Sequence, residues 1–315
     1  MEIVSILGCG TMGHSIALSA AWAGMQVKVY GVSEQDLEIA KKGLHNKLKV
    51  MKDNELFDEK EASRIMGLIV LSPSLEEVVK EATFIIEVIP EVLDLKKGMY
   101  KKLEELVDKD VIIASNTSGF MPSLLAEGMD YPNRFVVTHF WNPGHLIPLV
   151  EVVKGEKTDN GTVQRAKQIL QHMNKKPVLL NREIPGFIGN RLQYALFREA
   201  QSLLDAGVAT KEDIDAAVTY SIGRRLPITG PLMTADMGGL DVFSAISNYL
   251  FEDLSIDQKS GRVLTQLVEE NKFGDKSGEG FYSWDEQFSM LKNVEREQML
   301  IHFLKGDLKL GGSNE

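Results

Sequence analysis

The chain has one cysteine, Cys9, among its 315 residues. A single thiol closes no internal disulfide, so no disulfide framework holds the fold, and the usage fits a reducing cytoplasm. Long hydrophobic runs are missing as well: no stretch approaches the roughly 20 apolar residues of a membrane-spanning helix. The first residues show neither the basic region nor the cleavage site of a secretory signal. Positive charge is in deficit. A formal net charge of −10 speaks against a nucleic-acid footprint. Cysteine and histidine nowhere take zinc spacing, so no metal site is expected. Internal repeats and low-complexity segments are absent too. These exclusions leave a soluble globular protein, long enough for two domains with a core each.

What is present begins at once. Glu2 to Leu7 reads as a buried strand, GCGTMG follows at 8–13, then a helix of small residues to Gly24 and a second strand, Val27 to Tyr30. Strand, G-x-G-x-x-G, helix and strand within about 30 residues is the context in which the glycine motif points to a dinucleotide. Gly8 permits the tight turn, Gly10 lets the pyrophosphate approach, and Gly13 lets helix and strand pack closely. Thr11 and Met12 complete the loop at the helix N-terminus, whose N–H groups and dipole favour phosphate. The second strand ends in Gly31, where such sites usually carry an acid on the ribose 2′-hydroxyl. An acid there also repels a 2′-phosphate, yet no Arg or Lys lies between Gly31 and Ala40 to clamp one. NAD is the expected cofactor, with NADP left open.

Residues 34–67 read as helix, turn and helix, carrying Lys41, Lys42, Lys47, Lys49 and Lys52. A solvated helix face is the ordinary meaning of such a run; a basic patch receiving an anionic handle is the functional one. Further strands at 69–71, 84–88 and 111–114 build an open α/β sheet, which binds ligands beyond the carboxyl ends of its strands. Glu91, Asn116, Ser118 and His139 fall at such ends, although each alone also suits a turn or cap. In the stretch 134–153, RFVVTHFWNPGHLIPLVEVV, two short strands flank a loop with Asn142, Pro143 and Gly144. Paired side by side, they set His139 opposite Glu151, an imidazole oriented by a carboxylate. An ordinary buried hairpin with a histidine at its tip is the competing reading. A helix near 160–174 and a strand at 176–180 complete the sheet.

Beyond Glu183-Ile-Pro185 the periodicity turns helical. One long helix runs from Gly186 to Ala206 with Asn190 in its first turn, and Thr210 caps the next with Asp213 three residues on. So much apolar helical surface suggests a homodimer through this half. The organisation expected is a Rossmann-type doubly wound α/β domain over 1–184, an all-helical domain over 185–284, and a charged helical extension with a Gly-Gly-Ser tail over 285–315.

Taken together, GCGTMG at 8–13, EVIPEVLDLK at 87–96, SNTS at 115–118, HFWNP at 139–143, LVEVV at 149–153, PGFIGNRL at 185–192, the turns GP at 230–231 and GLD at 239–241, and SGEGFYSW at 277–284 resemble the 3-hydroxyacyl-CoA dehydrogenases over residues 1–284. The resemblance implies His139 as catalytic base and Glu151 as its partner. Ser118 and Asn190 would hold the reacting oxygen, and Glu91, Lys96 and Asn116 would line the cofactor side. Asn142 and His145 go with Ser118 and Asn190 to the substrate. The implied reaction is NAD-dependent oxidation of a short-chain (S)-3-hydroxyacyl-CoA, within fatty-acid metabolism. Two stretches depart from the family pattern: HFWNPGHLIPLVE, where the usual form begins HFFNP, and RRLPITGP, which is longer than usual. Both look more like the lambda-crystallin-like branch and relatives that oxidise small hydroxy acids or ring alcohols without CoA. Trp141 and His145 would then narrow or polarise the pocket mouth, and His145 would bind a substrate carboxylate unless it is a solvated loop histidine. A non-catalytic, crystallin-like dinucleotide binder is the alternative from another class, which the complete set of four catalytic positions disfavours.

Overall fold

A computed structural model describes residues 2–311, and the tail beyond Gly311 lies outside them. Two compact units divide the chain: the first holds the residues through Ile188 and those from Glu295 on, the second Gly189–Val294. Among the described residues no helix is long and apolar enough to cross a membrane.

The first unit is an eight-stranded sheet. Its strands are β1 (Ile3–Leu7), β2 (Gln26–Tyr30), β3 (Ile69–Ser72), β4 (Phe84–Glu87), β5 (Ile112–Ser115), β6 (Phe135–Phe140), β7 (Leu149–Lys154) and β8 (Lys176–Leu180). They lie in the order β3-β2-β1-β4-β5-β6-β7-β8. Every neighbouring pair is parallel except β6 with β7. Helices α1 (Thr11–Trp22), α2 (Glu34–Asp53), α3 (Glu59–Gly67), α4 (Leu75–Val79), α5 (Leu93–Leu106), α6 (Pro122–Leu125) and α7 (Asn160–His172) connect them. The central strands are apolar at successive positions because both faces are covered. Val4, Ile6, Ile86 and Ala114 pack with α1, α2 and α7 on one face. Leu7, Ile85, Ile113 and Val137 pack with α4 and α5 on the other. The order reverses between β1 and β4, which opens the crevice where such sheets take ligands.

One expectation is corrected here. The C-terminal extension is not a separate appendage. Ile301 and Leu304, on the helix Glu286–Gly311, are buried in the core of the first unit, with Leu300 and Leu308 packed beside them. Residues 300, 301, 304 and 308 fall on one helical stripe, but a stripe does not name its partner. The first unit also runs slightly past the expected boundary, to Ile188.

The second unit is helical, led by α8 (Gly189–Asp205). Side chains of α8 hold the loop before the helix Arg262–Glu269: Glu199 accepts from Ser255 N at 2.8 Å, Gln201 from Gly261 N at 3.0 Å, and Asp205 from Val263 N at 3.0 Å. Thr210 caps the next helix as its spacing predicts, accepting from Asp213 N at 3.1 Å.

Candidate active site

The glycine loop is built by sterics. Gly8 has φ +113°, and a Cβ there would meet Val88 O at 2.9 Å. A Cβ on Gly13 would lie 1.9 Å from Gly8 O; only hydrogen fits where α1 crosses the end of β1. Gly10 is different, since a Cβ on it meets nothing within 4 Å. It is the N-cap of α1, no side chain caps it, and no acid stands in the first turn. The first N–H groups of α1 thus lack a side-chain cap, and with the positive end of the helix dipole and the open space at Gly10 they suit a pyrophosphate.

The place of the missing acid at the end of β2 is filled by packing. Gly31 is buried, and a Cβ on it would lie 2.6 Å from Leu37 Cδ2 and 2.7 Å from Cys9 Sγ. Those two side chains occupy the volume an acidic residue would need. Gly31→Asp should therefore lower the thermal midpoint, with overpacking costing about 1–3 kcal/mol, and should not sharpen preference for NAD over NADP. A stable variant with improved NAD selectivity would contradict this.

The antiparallel pair β6–β7 sets His139 directly opposite Glu151. Nδ1 of His139 lies 2.8 Å from Glu151 Oε2, with the two side chains 7% and 1% exposed. An ionised carboxylate only accepts, so Nδ1 carries the proton and Nε2 keeps the lone pair, the arrangement of a general base. Glu151 Oε1 accepts from Ile188 N at 2.8 Å, and Oε2 also accepts from Trp141 Nε1 at 3.3 Å. The imidazole lies between Trp141 and Phe187, with ring centroids at 5.7 and 5.6 Å.

The neighbouring strand ends carry a polar lattice. Asn116 Oδ1 accepts from Phe140 N at 2.8 Å and so ties the end of β5 to the strand bearing His139. Glu91 accepts from the Thr117 hydroxyl and from Ser118 N at 3.1 Å, which fixes the loop that presents the exposed Ser118. Behind them sits Glu87, fully buried, accepting from Lys96 Nζ at 2.7 Å, Ile89 N at 2.8 Å, Ser115 Oγ at 2.7 Å and the Tyr100 hydroxyl. Burial and this carboxylate push the Tyr100 phenol far above its usual range. Lys96, expected to line the cofactor side, is 1% exposed and bonds Glu87 and Glu91 instead. Its charge is used within the protein because a buried ammonium needs carboxylate partners. Glu87, Ser115, Thr117 and Tyr100 escaped the sequence reading; an acid closing the otherwise apolar FIIE of β4 was the available signal.

The loop 142–148 overturns another expectation. His145 is not at a pocket mouth: it is 2% exposed and packed on α1, with Nδ1 2.8 Å from Ser15 Oγ. Ser15 Oγ in turn accepts from His145 N at 3.1 Å, so its proton points to Nδ1. Burial, then the positive Lys47 and Lys175, hold the imidazole down to about 3. A neutral, enclosed ring does not bind a substrate carboxylate as a cation. Lys175 Nζ, itself pulled down to about 7 by burial, donates to Gly144 O at 2.6 Å and Ile147 O at 3.2 Å and pins the loop from below. Asn142 is exposed at the loop's start. A folded-state value below the unfolded one means that between pH 6.5 and about 3 the unfolded chain binds the extra proton. Stability therefore falls as pH falls through that window. In urea titrations the wild type should lose about 2 kcal/mol more than His145→Gln between pH 6.5 and 5, at about 1.4 kcal/mol per pH unit. Equal losses would reject the assignment.

The lysine run is also less available than its count suggests. Lys47 donates to His14 Nε2 at 2.9 Å, Lys49 pairs with Asp53 at 2.6 Å, and Lys52 pairs with Glu59. Asn190 lies in the first turn of α8, in the helical unit.

Residues 3–184 match the 3-hydroxyacyl-CoA dehydrogenase NAD binding domain, and residues 186–284 match the C-terminal domain of the same family. The 5-formyl-3-hydroxy-2-methylpyridine 4-carboxylate 5-dehydrogenase of Mesorhizobium japonicum is 33% identical over 298 residues, which is 95% of this chain and 96% of that protein. A crystal structure of a dehydrogenase of that pyridine acid superposes with TM-score 0.91 at 33% identity, covering 97% of this chain and 99% of the other. The (S)-3-hydroxybutyryl-CoA dehydrogenase from Ralstonia eutropha gives TM-score 0.75 at 30% identity, covering 91% of this chain and all of its own, 100%.

Proposed function

The chain belongs to the 3-hydroxyacyl-CoA dehydrogenase family, an NAD-dependent oxidoreductase acting on a hydroxyl group, and from that premise we propose that it oxidises the alcohol of a small free acid, with no CoA handle. His139 is the base in this reading. The hydroxyl proton passes to Nε2 while the carbinol C–H electrons leave as hydride. NAD, when bound at the glycine loop, supplies the hydride acceptor. Glu151 holds the ring and stabilises the imidazolium that forms. Ser118 and Asn190 are assigned to the reacting oxygen, where positioning by hydrogen bonds adds to the rate.

The observation that carries the chemistry is the His139–Glu151 pair, in register across β6 and β7 at 2.8 Å. Two findings favour a substrate without CoA. A relative matched almost end to end is named for a pyridine carboxylate. The lysines that would receive an anionic handle are partly neutralised, since Lys49 and Lys52 already hold Asp53 and Glu59. The second reading, a 3-hydroxyacyl-CoA, draws on the similarity to the Ralstonia enzyme and on a cavity of about 580 Å³ lined by His45, Lys49 and Lys52. NADH formation is to be compared on free 3-hydroxy acids and hydroxymethylpyridine carboxylates against 3-hydroxybutyryl-CoA. Turnover of the thioester alone would replace the first reading by the second.

We further assign a homodimer through the helical unit, because Leu232, Met237 and Phe251 are 84%, 76% and 68% exposed there, more apolar surface than a monomer leaves bare. A monomer in sedimentation equilibrium would reject it. The buried single thiol, Cys9, keeps the cytoplasm as the proposed compartment.

A further inference from the structure

Trp141 makes a bond that the acid–base scheme does not require. Its indole Nε1 donates at 3.3 Å to Glu151 Oε2, the same oxygen that lies 2.8 Å from His139 Nδ1. We propose that Trp141 is a positioning residue that sets the basicity of the His139–Glu151 pair, by sharing the carboxylate oxygen on which the imidazole depends. The proposal rests on His139 being the base.

The placement follows from the strand. Residues 139 and 141 are two apart where β6 ends at Phe140, so their side chains leave the same face. The two rings tilt at 57° with centroids 5.7 Å apart, which lets the indole N–H reach around to the carboxylate edge. Phe187, fully buried, closes the other side of the imidazole. Its neighbour Ile188 donates to Oε1 at 2.8 Å.

Each donor draws charge from the carboxylate. Glu151 is 1% exposed, so little water is at hand to level these differences, and hydrogen bonds act at full strength. A carboxylate with an added donor stabilises the imidazolium less. A phenyl ring at 141 would fill the same wall and offer no N–H. The flanking strands bring no competing charge in register: Val178 of β8 lies opposite Glu151, and Ser115 of β5 lies opposite Val137 of β6. Beyond β5, at the end of β4, Glu87 and Glu91 both pair with Lys96 of α5.

A merely steric role for Trp141 would alter KM and leave proton affinity alone, which separates the two by experiment. The full-length protein is labelled with 13C at histidine Cε1 and titrated by NMR, the His139 signal being identified by its loss in His139→Ala. Three proteins are compared: wild type, Trp141→Phe, and protein with 3-benzothienylalanine in place of Trp141. The last keeps the bicyclic shape and replaces only the N–H by sulfur. The expected result is a rise of the His139 midpoint by about half a pH unit in both variants, the size appropriate to one long bond to a charged acceptor. The acid limb of kcat/KM on the best substrate of the panel above should rise with it. An unmoved midpoint in the benzothienyl protein overturns the proposal. A midpoint that moves while the rate limb stays leaves the Trp141–Glu151 coupling intact and overturns His139 as the base.

Discussion

Replacing His139 with alanine is expected to lower kcat by roughly 10²- to 10⁴-fold, the usual contribution of a positioned proton acceptor, while NADH binding changes by no more than about two-fold. The separation is structural. The glycine loop is set by contacts among Gly8, Gly13 and Val88, none of which involves the imidazole. The loop after His139 is tied down independently, by Asn116 on Phe140 N and by Lys175 on Gly144 O. The alanine variant therefore loses the proton acceptor and leaves its surroundings in place. Stopped-flow turnover and NADH fluorescence titration measure the two quantities separately. Survival of turnover near the wild-type rate would falsify His139 as the base, and a parallel loss of NADH binding would show that the change is not local.

The second large effect is expected at Gly13. Alanine there puts a Cβ 1.9 Å from Gly8 O, inside any allowed contact and against backbone that cannot swing away. α1 has to move off the end of β1, and both stability and NADH affinity should fall, the affinity by at least about 100-fold because several aligned N–H donors are displaced together. Gly10→Ala is the informative partner. Its Cβ meets nothing within 4 Å, so the thermal midpoint should stay within about 2 °C of wild type, as for surface substitutions away from such features. Its NADH affinity should nevertheless drop, because the methyl group occupies the space left for the pyrophosphate. Differential scanning fluorimetry with NADH titration on both variants checks the contrast. Equal behaviour of the two variants would mean that the loop does not hold phosphate in this way.

Much of this was legible from residue order. The alternating strands, the glycine loop and the cap at Thr210 are local patterns, governed by neighbours within a few positions, and they appear in the structure where the periodicities put them. The facing of His139 and Glu151 was also legible, because a short connection forces antiparallel pairing and the register of two strands then follows from loop length. Other features hid for a common reason. His145 in a glycine-containing loop reads as a solvated residue; its burial depends on Ser15 and Lys175, 130 and 30 positions away. Lys96 reads as a ligand-facing cation, but Glu87 and Glu91 take its charge. The stripe Leu300, Ile301, Leu304 and Leu308 declares a buried face without saying against what.

The sequence by itself determined the fold class and the dinucleotide loop and set His139 opposite Glu151, since each is encoded in short-range steric and periodic rules. Only the tertiary structure decided that Cys9 and Leu37 fill the space beside Gly31. It alone returned the C-terminal helix to the first core and set the indole of Trp141 on the carboxylate that orients His139. These are contacts that only packing reveals, and burial, not spacing along the chain, sets whether a charge there is kept, paired or lost.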